Sequence, residues 1–110
     1  MTREPHTTPT DARKDDSEKP RLDLIPPEAL TAMGIVLSHG ASKYGDRNWE
    51  RGLDRGRIVA ALLRHLTAWM QGEDTDPDSG LPHSAHVLTN AAFLVAHEAR
   101  GIGTDSRRAQ

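Results

Sequence analysis

The densest group of chemically useful side chains lies between residues 73 and 86. It contains six titratable residues: Glu73, Asp74, Asp76, Asp78, His83 and His86. Carboxylates this close repel one another unless a cation or a basic side chain lies among them. An EF-hand calcium loop is excluded, because Ser79 occupies the position that requires glycine and Ala85 the position that requires a bidentate glutamate.

Carboxylate oxygens beside histidines suit a hard divalent ion, so we expect one cation site in this stretch. Mg²⁺ is the expected ion and Mn²⁺ the alternative. The expected ligands are Glu73, Asp74, Asp76, His83 and His86. The competing interpretation is an acidic, solvated turn in which Asp78 or Ser79 caps the following helix.

The histidines belong to a polar stripe on a predicted helix. His83, His86 and Asn90 fall within about 60° of arc on a helical wheel. His97 returns to the same side two turns later, and the stripe lies opposite an apolar seam that includes Val95. A solvated face would be richer in Lys and Glu. We therefore expect the stripe to line a site, with a solvent face or an oligomer contact as alternatives.

A second candidate region is the segment between residues 43 and 49. Its candidate binding residues are Lys43, Tyr44, Arg47, Asn48 and Trp49. Lysine and arginine bind phosphate oxygens, aromatic rings stack on bases, and asparagine can hydrogen-bond a base edge or a sugar hydroxyl. In the alternative interpretation the two aromatic rings plug one end of a helical bundle.

Arg64 and His65 lie in the middle of the second predicted helix. His65 shares an apolar face with Ile58 and Trp69, where a histidine is usually a hydrogen-bonded core residue. This helix must pack against the third, so His65 could also face the histidine stripe, with Glu73 one turn beyond.

Three helices are predicted to position these groups, with bounds near residues 25–45, 54–72 and 80–100. Apolar residues recur at steps of three or four, and no segment alternates with a period of two. Pro27 suits a first helical turn, Asp54 an N-cap and Gly101 a C-terminal stop. The fold expected is all-α: a small bundle of three main helices in which the second, the most apolar, is central.

Composition limits the size of the core. The chain has 110 residues, 35% of them apolar and 27% charged, and only four are aromatic: Tyr44, Trp49, Trp69 and Phe93. A lean apolar supply in a small domain favours burial of more surface by self-association, so we expect a homo-oligomer. The net charge of −2 argues against extended nucleic-acid binding.

The ends of the chain are the least apolar parts. We expect a disordered arm over residues 1–18, a helical domain over 19–100 and a tail over 101–110. The chain contains no cysteine, which excludes thiolate chemistry and is compatible with the cytoplasm. No signal peptide or membrane span is recognised. No P-loop, GxGxxG, GxSxG or HExxH motif is present.

Several long strings resemble one family. They are KPRLDLIPPEAL from residue 19, GASKYGDRNW from residue 40, GEDTD from residue 72 and SGLPH from residue 79. Together with residues 63–66 and 86–90 they resemble the phage-encoded dATP/dGTP diphosphohydrolase N-terminal domain family over about residues 19–98.

The resemblance implies a divalent-cation-dependent hydrolysis of purine deoxynucleoside triphosphates to monophosphate and pyrophosphate, in host cytoplasm if the protein is phage-encoded. The activity is similar to that of the all-α MazG-type pyrophosphohydrolases, which bind Mg²⁺ through ExxE and ExxD motifs. This chain has no ExxE, and its nearest equivalents are Glu73/Asp76 and His83/His86. The ligand geometry of that group therefore cannot be transferred to it.

This implied reaction gives the candidates their expected roles. Glu73, Asp76 and His65 would be catalytic, through cation binding or activation of water. The expected substrate-binding residues are Lys43, Tyr44, Arg47, Asn48, Trp49, Arg64 and Asn90. Two alternatives stay open: a nucleotide-binding module without turnover, and a structural or host-interaction protein whose histidine stripe is an oligomer interface.

Overall fold

The computed structural model describes residues 12–13, 15 and 17–107, and this part of the chain contains three α-helices. They are α1 over Pro27–Tyr44, α2 over Arg55–Met70 and α3 over His83–Arg100. Short 3-10 helices over Leu22–Leu24 and Asn48–Arg51 precede α1 and α2. The described residues form isolated β-bridges and no strand, so the all-α prediction is confirmed. Most of the expected arm, residues 1–18, lies outside the described residues.

The helix ends follow from local chemistry. The Asp54 carboxylate caps α2 by accepting a hydrogen bond of 2.9 Å from the N–H of Gly56. Gly101 ends α3 in the left-handed conformation, with φ at 65°. Gly45 follows α1 with φ at 91° and donates its N–H to the Ala41 carbonyl. The predicted N-cap of the second helix, Asp54, and the predicted C-terminal stop of the third, Gly101, are therefore confirmed. The alternative in which Asp78 or Ser79 caps the third helix is wrong, because its N-cap is Pro82 and no side chain caps it.

Helix α3 begins at His83, later than the expected start near Gly80. Pro82 is extended, with ψ at 138°, so it cannot belong to the first turn. The backbone before it folds into a compact loop, in which the N–H of Asp76 donates to the Leu81 carbonyl at 2.9 Å. The loop between α2 and α3 therefore has a defined conformation, held by its own backbone hydrogen bonds.

The central helix is α3, and the prediction that the second helix is central is wrong. Both α1 and α2 pack chiefly against α3. Small residues on α3 explain this, since side chains such as Ala85 and Ala92 let neighbouring helices approach closely.

The buried side of α3 differs from the predicted one. Val95, placed in an apolar seam, is 66% exposed, whereas His83, Thr89 and His97 are buried. Only Ile58 and Ala85 are fully buried apolar residues in the described part of the chain. The polar stripe thus turns inward, because its side chains find hydrogen-bond partners inside the molecule.

His97 lies on this stripe but belongs to a separate structural contact. Its Nδ1 is 2.7 Å from the Phe93 carbonyl, which can only accept, so Nδ1–H donates there. Its Nε2 accepts from the N–H of Leu53 at 3.1 Å. The side chain is 0% exposed. His97 therefore fastens the segment before α2 to α3.

Two glycines cross at the same place. Residues 101–107, expected as part of a tail, run back along the start of α2, where the N–H of Arg55 donates to the Thr104 carbonyl at 2.9 Å. A Cβ on Gly52 would lie 2.7 Å from the nitrogen of Gly103, and a Cβ on Gly103 would collide with the Leu53 carbonyl. Both glycines also have positive φ, so each of the two positions requires glycine for its backbone conformation as well as for the close contact.

Gly103→Ala is expected to lower the free energy of unfolding by roughly 3 kcal/mol or more, because the new methyl group meets backbone that cannot move aside. The matched control is Gly101→Ala, which has a similar positive φ but open space around the Cβ. It should cost only about 1 kcal/mol from backbone strain. Equal losses in urea unfolding would contradict the close crossing.

Candidate functional site

A cavity of about 470 Å³ opens between α1 on one side and α2, α3 and their connecting loop on the other. Its polar lining comes from all of these elements: His39, Lys43, Tyr44, Asn48, Arg64, His65, Asp76, Asp78, Ser79 and His86. Two regions far apart in the chain, the 43–49 segment and the acidic loop, therefore face one space. This is large enough for a small-molecule ligand.

Three side chains that can bind a metal ion lie close together in the lining of this cavity. His65 from α2, Asp76 from the loop and His86 from α3 each offer a ligand atom, and the three atoms lie within 4.8 Å of one another. The imidazole rings of His65 and His86 are parallel, with centroids 4.2 Å apart. Oδ2 of Asp76 is 3.7 Å from Nε2 of His86. We call these three residues the inner cluster.

The loop between α2 and α3 turns Asp76 inward. Its carboxylate accepts hydrogen bonds from the N–H groups of Asp78 and Ser79, at 3.4 and 3.3 Å. Its own backbone carbonyl accepts from the N–H of Gly80 at 2.7 Å. Burial opposes ionisation of Asp76, but these hydrogen bonds and one from the Ser79 hydroxyl outweigh it and lower the pKa of the carboxyl. Asp76 is therefore a carboxylate near neutral pH.

The two imidazoles of the inner cluster are held neutral. Burial lowers the pKa of His65, and the neighbouring His86 lowers it further. Burial likewise lowers the pKa of His86, partly offset by Asp76. Neutral imidazoles keep a ring-nitrogen lone pair, so the cluster presents two nitrogen donors and one oxygen donor at neutral pH.

A second pair of expected ligands lies behind the cluster. Nε2 of His83 is 2.7 Å from Oε1 of Glu73, and Nδ1 of His83 is 2.9 Å from Nδ1 of His65. His83 is buried, and both its ring nitrogens are occupied by these contacts. Glu73 and His83 are thus brought to His65 without lining the cavity. Asp74 is exposed and lies outside the cluster.

The segment from residue 43 to residue 49 divides into cavity wall and outer surface. Lys43, Tyr44, Asn48 and Trp49 line the cavity. Arg47 does not: it is exposed and pairs with Glu50 at 3.5 Å. Its φ of 57° is the only positive value for a non-glycine residue in the described part of the chain.

The two aromatic rings of this segment differ in freedom. The Trp49 ring packs on Phe93, with centroids 5.3 Å apart, and the Arg100 guanidinium lies 4.8 Å from its centre. This matches the alternative in which the ring plugs the bundle. Tyr44 is 65% exposed and contacts only Lys43 among the ring and cation contacts of the described residues. Tyr44 is therefore the more exposed of these two aromatic rings in the cavity lining.

The remaining predicted binding residues lie on either side of the cavity boundary. Arg64 lines the cavity from α2, one residue before His65. The Asn90 side chain donates to the His86 carbonyl at 2.9 Å and is not part of the lining. Asn90 is thus brought close to the cluster without facing the cavity.

His39 lines the cavity from α1 and was missed in the sequence. It shares this lining with His86, whose pKa a positive charge on His39 would lower. A signal was present, because His39 precedes Lys43 by four residues and so shares its helix face. The face points inward only because α1 packs against α3, which the spacing alone does not reveal.

Comparison with known proteins agrees with the resemblance of the sequence strings. A family model described as "dATP/dGTP diphosphohydrolase, N-terminal" matches residues 9–107. A dATP/dGTP diphosphohydrolase of Salmonella phage PMBT28 is 36% identical over 81 residues, which cover 74% of this chain and 28% of the relative. The chain thus spans little more than a quarter of that relative's length, and no solved structure matches significantly. The family match covers most of the chain, which therefore belongs to the dATP/dGTP diphosphohydrolase N-terminal family.

Proposed function

We propose that the cavity binds a purine deoxynucleoside triphosphate and hydrolyses it to the monophosphate and pyrophosphate with the help of a divalent cation. The observation that carries this proposal is that cationic and aromatic side chains line the same cavity as the inner cluster of His65, Asp76 and His86. The phage relative is a dATP/dGTP diphosphohydrolase, which supports the same substrate class. We propose as well that the hydrolysis depends on the cation and that this chain is active by itself.

The phosphate end of the substrate would lie between α1 and α2. Lys43 and Arg64 line opposite parts of the cavity and carry the positive charge that a triphosphate requires. Arg47 points to the outer surface and would contribute to attraction at long range rather than by contact. Truncating Lys43 or Arg64 should therefore raise KM more than it lowers kcat.

The base end would lie at Tyr44 and Asn48. The exposed Tyr44 ring can stack on a purine, and the Asn48 amide can hydrogen-bond a base edge or the sugar. Trp49 would form the wall that holds this pair in place, since its ring already packs on Phe93. Asn90 would act indirectly through its hydrogen bond to the backbone of His86.

Hydrolysis would take place at the inner cluster. A cation held there would neutralise phosphate charge and lower the pKa of an attacking water. Among the remaining lining groups, His39 and Asp78 are able to accept the proton of that water. Glu73 and His83 would hold His65 in place instead of contacting the substrate.

A binding module without turnover is the second candidate, because this chain spans only 28% of the phage relative. The full chain should be incubated with each dNTP and Mg²⁺ or Mn²⁺, and the products separated by ion exchange. Monophosphate with pyrophosphate from dATP or dGTP is the expected result. A raised melting temperature without product would support the binding module. Neither product nor stabilisation would contradict both, and would leave a structural or host-interaction role.

We also propose that the protein is a homo-oligomer. Eleven large apolar side chains of the described part of the chain are 37–71% exposed, against two fully buried apolar residues. Val59, Leu63 and Met70 form one exposed stripe along α2. None of the described helices is long and apolar enough to cross a membrane. We propose that a second copy of this chain covers these exposed apolar side chains, because a domain this small buries little apolar surface by itself.

Sedimentation velocity at tens of micromolar protein should show a dimer or larger species. Leu63→Glu together with Met70→Glu should shift it to monomer, because charges would replace an apolar contact surface. Arg57→Glu on the same helix is a matched control that adds one carboxylate away from the stripe. A stable wild-type monomer would contradict this proposal.

A further inference from the structure

The inner cluster has a donor set that differs from the expected one. The set expected from the sequence holds three carboxylates and two imidazoles, with Mg²⁺ as the expected ion. The structure instead brings together two imidazoles and one carboxylate, from His65, His86 and Asp76. Mg²⁺ prefers oxygen ligands, whereas imidazole suits zinc, iron, nickel and similar ions. The donor chemistry therefore bears directly on which ion the site can hold.

The contacts behind His65 decide which of its ring nitrogens is free. The Glu73 carboxylate can only accept, so Nε2–H of His83 donates to it across 2.7 Å. In the tautomer in which Nδ1 of His83 holds a lone pair, it accepts from Nδ1–H of His65 across 2.9 Å. This leaves Nε2 of His65 as a lone-pair donor. Metal-binding histidines are typically oriented in this way, by a hydrogen bond from the other ring nitrogen.

The other two donors are also held in place. The backbone N–H groups of Asp78 and Ser79 hold the Asp76 carboxylate. The Ser79 hydroxyl lies 2.8 Å from Nε2 of His86 and accepts from the N–H of Leu81 at 3.1 Å. Each member of the cluster thus has an oriented side chain before any ion arrives.

The spacing of the donors is close to that of a ligated ion. Donors bound at about 2.0–2.2 Å stand roughly 3–3.5 Å apart around a tetrahedral or octahedral centre. The present donor atoms lie within 4.8 Å of one another. Small side-chain rotations would close this difference. The cavity on the open side leaves room for water or phosphate oxygens to complete the coordination.

We infer that His65, Asp76 and His86 form a three-ligand site for a transition-metal ion such as Mn²⁺, Co²⁺ or Zn²⁺, which it binds in preference to Mg²⁺. This inference deepens the proposed function by naming the class of its cofactor. Its test requires no nucleotide and no turnover. The two proposals can therefore fail separately.

The test is direct metal binding to the full chain, without a polyhistidine tag and after removal of metals with a chelator. Co²⁺ is titrated first, because its visible absorption reports ligation by nitrogen. Zn²⁺ and Mn²⁺ follow by calorimetry, and Mg²⁺ by competition against Co²⁺. We expect one site per chain and an affinity for Co²⁺ and Zn²⁺ at least about 100-fold above that for Mg²⁺.

Variants assign the site to its residues. His65→Ala and His86→Ala should each weaken Co²⁺ binding by about 100-fold or more and change its absorption spectrum. Glu73→Ala, which contacts no ion, should weaken it by about 10-fold through loss of the support behind His65. Asp74→Asn is the matched control, since Asp74 is an exposed residue of the same loop outside the cluster and the cavity, and it should bind Co²⁺ like wild type.

Three outcomes would overturn the inference: no Co²⁺ binding, equal affinity for Mg²⁺ and Co²⁺, or unchanged binding in both histidine variants. Hydrolysis supported by Mg²⁺ in a protein that does not bind Co²⁺ would overturn the metal assignment and leave the proposed function intact. Selective binding of Co²⁺ by a protein that hydrolyses no dNTP would do the opposite.

Discussion

Asp76→Asn is expected to lower kcat/KM for dATP or dGTP by about 1,000-fold, equivalent to about 4 kcal/mol of transition-state stabilisation. The substitution preserves the shape of the side chain and removes the only carboxylate of the inner cluster. If the chain binds nucleotide without turnover, the same variant should lose metal-dependent nucleotide binding instead. Steady-state kinetics and titration by calorimetry distinguish these two results.

The matched control is Asp74→Asn, two residues earlier in the same loop. Asp74 is exposed, and within the described part of the chain its one hydrogen bond is accepted by its backbone carbonyl, from the N–H of His83 at 2.9 Å. Its kcat/KM should stay within about twofold of wild type, because a distant, solvated charge is strongly screened. Equal losses in the two variants would mean that the overall charge of the loop matters and the inner cluster does not.

His97→Ala should cause the largest loss of stability among the histidine variants, about 3 kcal/mol in the free energy of unfolding. The change opens a cavity at a side chain that is 0% exposed. It also leaves the N–H of Leu53 without its acceptor. Chemical denaturation monitored by circular dichroism measures the effect.

His86→Ala provides the contrast for this prediction. His86 is only partly buried and faces the cavity, so its removal should change the unfolding free energy by about 1 kcal/mol or less. It should nevertheless lose metal binding, whereas His97→Ala should retain metal binding at temperatures where it is folded. A more stable His97 variant than His86 variant would contradict the separation of structural and site histidines.

The sequence predicts the helices well because their ends carry strong local signals. Asp54 and Gly101 set boundaries through contacts within a few residues, and these contacts need no knowledge of the rest of the fold. The start of α3 is predicted too early because of Pro82. Proline suits a first helical turn, but here the loop pairs Thr75 with Pro82 across an isolated bridge and keeps that residue extended.

Some residues of the predicted site lie in the inner cluster and others lie outside it, and the reason is physical. His83 and His86 occupy one helix face three residues apart, so spacing treats them alike. The structure places one between Glu73 and His65 and the other at the cavity, a difference set by hydrogen-bond partners on α2 and the loop. Which of the four loop carboxylates joins the inner cluster depends in the same way on backbone N–H groups that the sequence does not reveal.

His97 shows the opposite limit. The helical period places it correctly on the side of the other histidines, but two further turns of helix carry it away from the cavity and beside Leu53 and Trp49. A common face of a long helix therefore does not imply a common site. The conclusion requires knowing which neighbour covers each turn, and this is tertiary information.

The position of α1 has a consequence for how ligand binding and local unfolding are coupled. Helix α1 has no fully buried residue and packs chiefly against α3, so it should open more readily than the α2–α3 pair. It also supplies His39 and Lys43 to one wall of a cavity whose opposite wall holds the inner cluster. A ligand that touches both walls would stabilise α1 against local unfolding. The gain would be about 2.7 kcal/mol at a ligand concentration 100-fold above its Kd. Amide hydrogen exchange would then slow most along α1, and the helix with the weakest packing would become the part of the protein that best reports occupancy of the cavity.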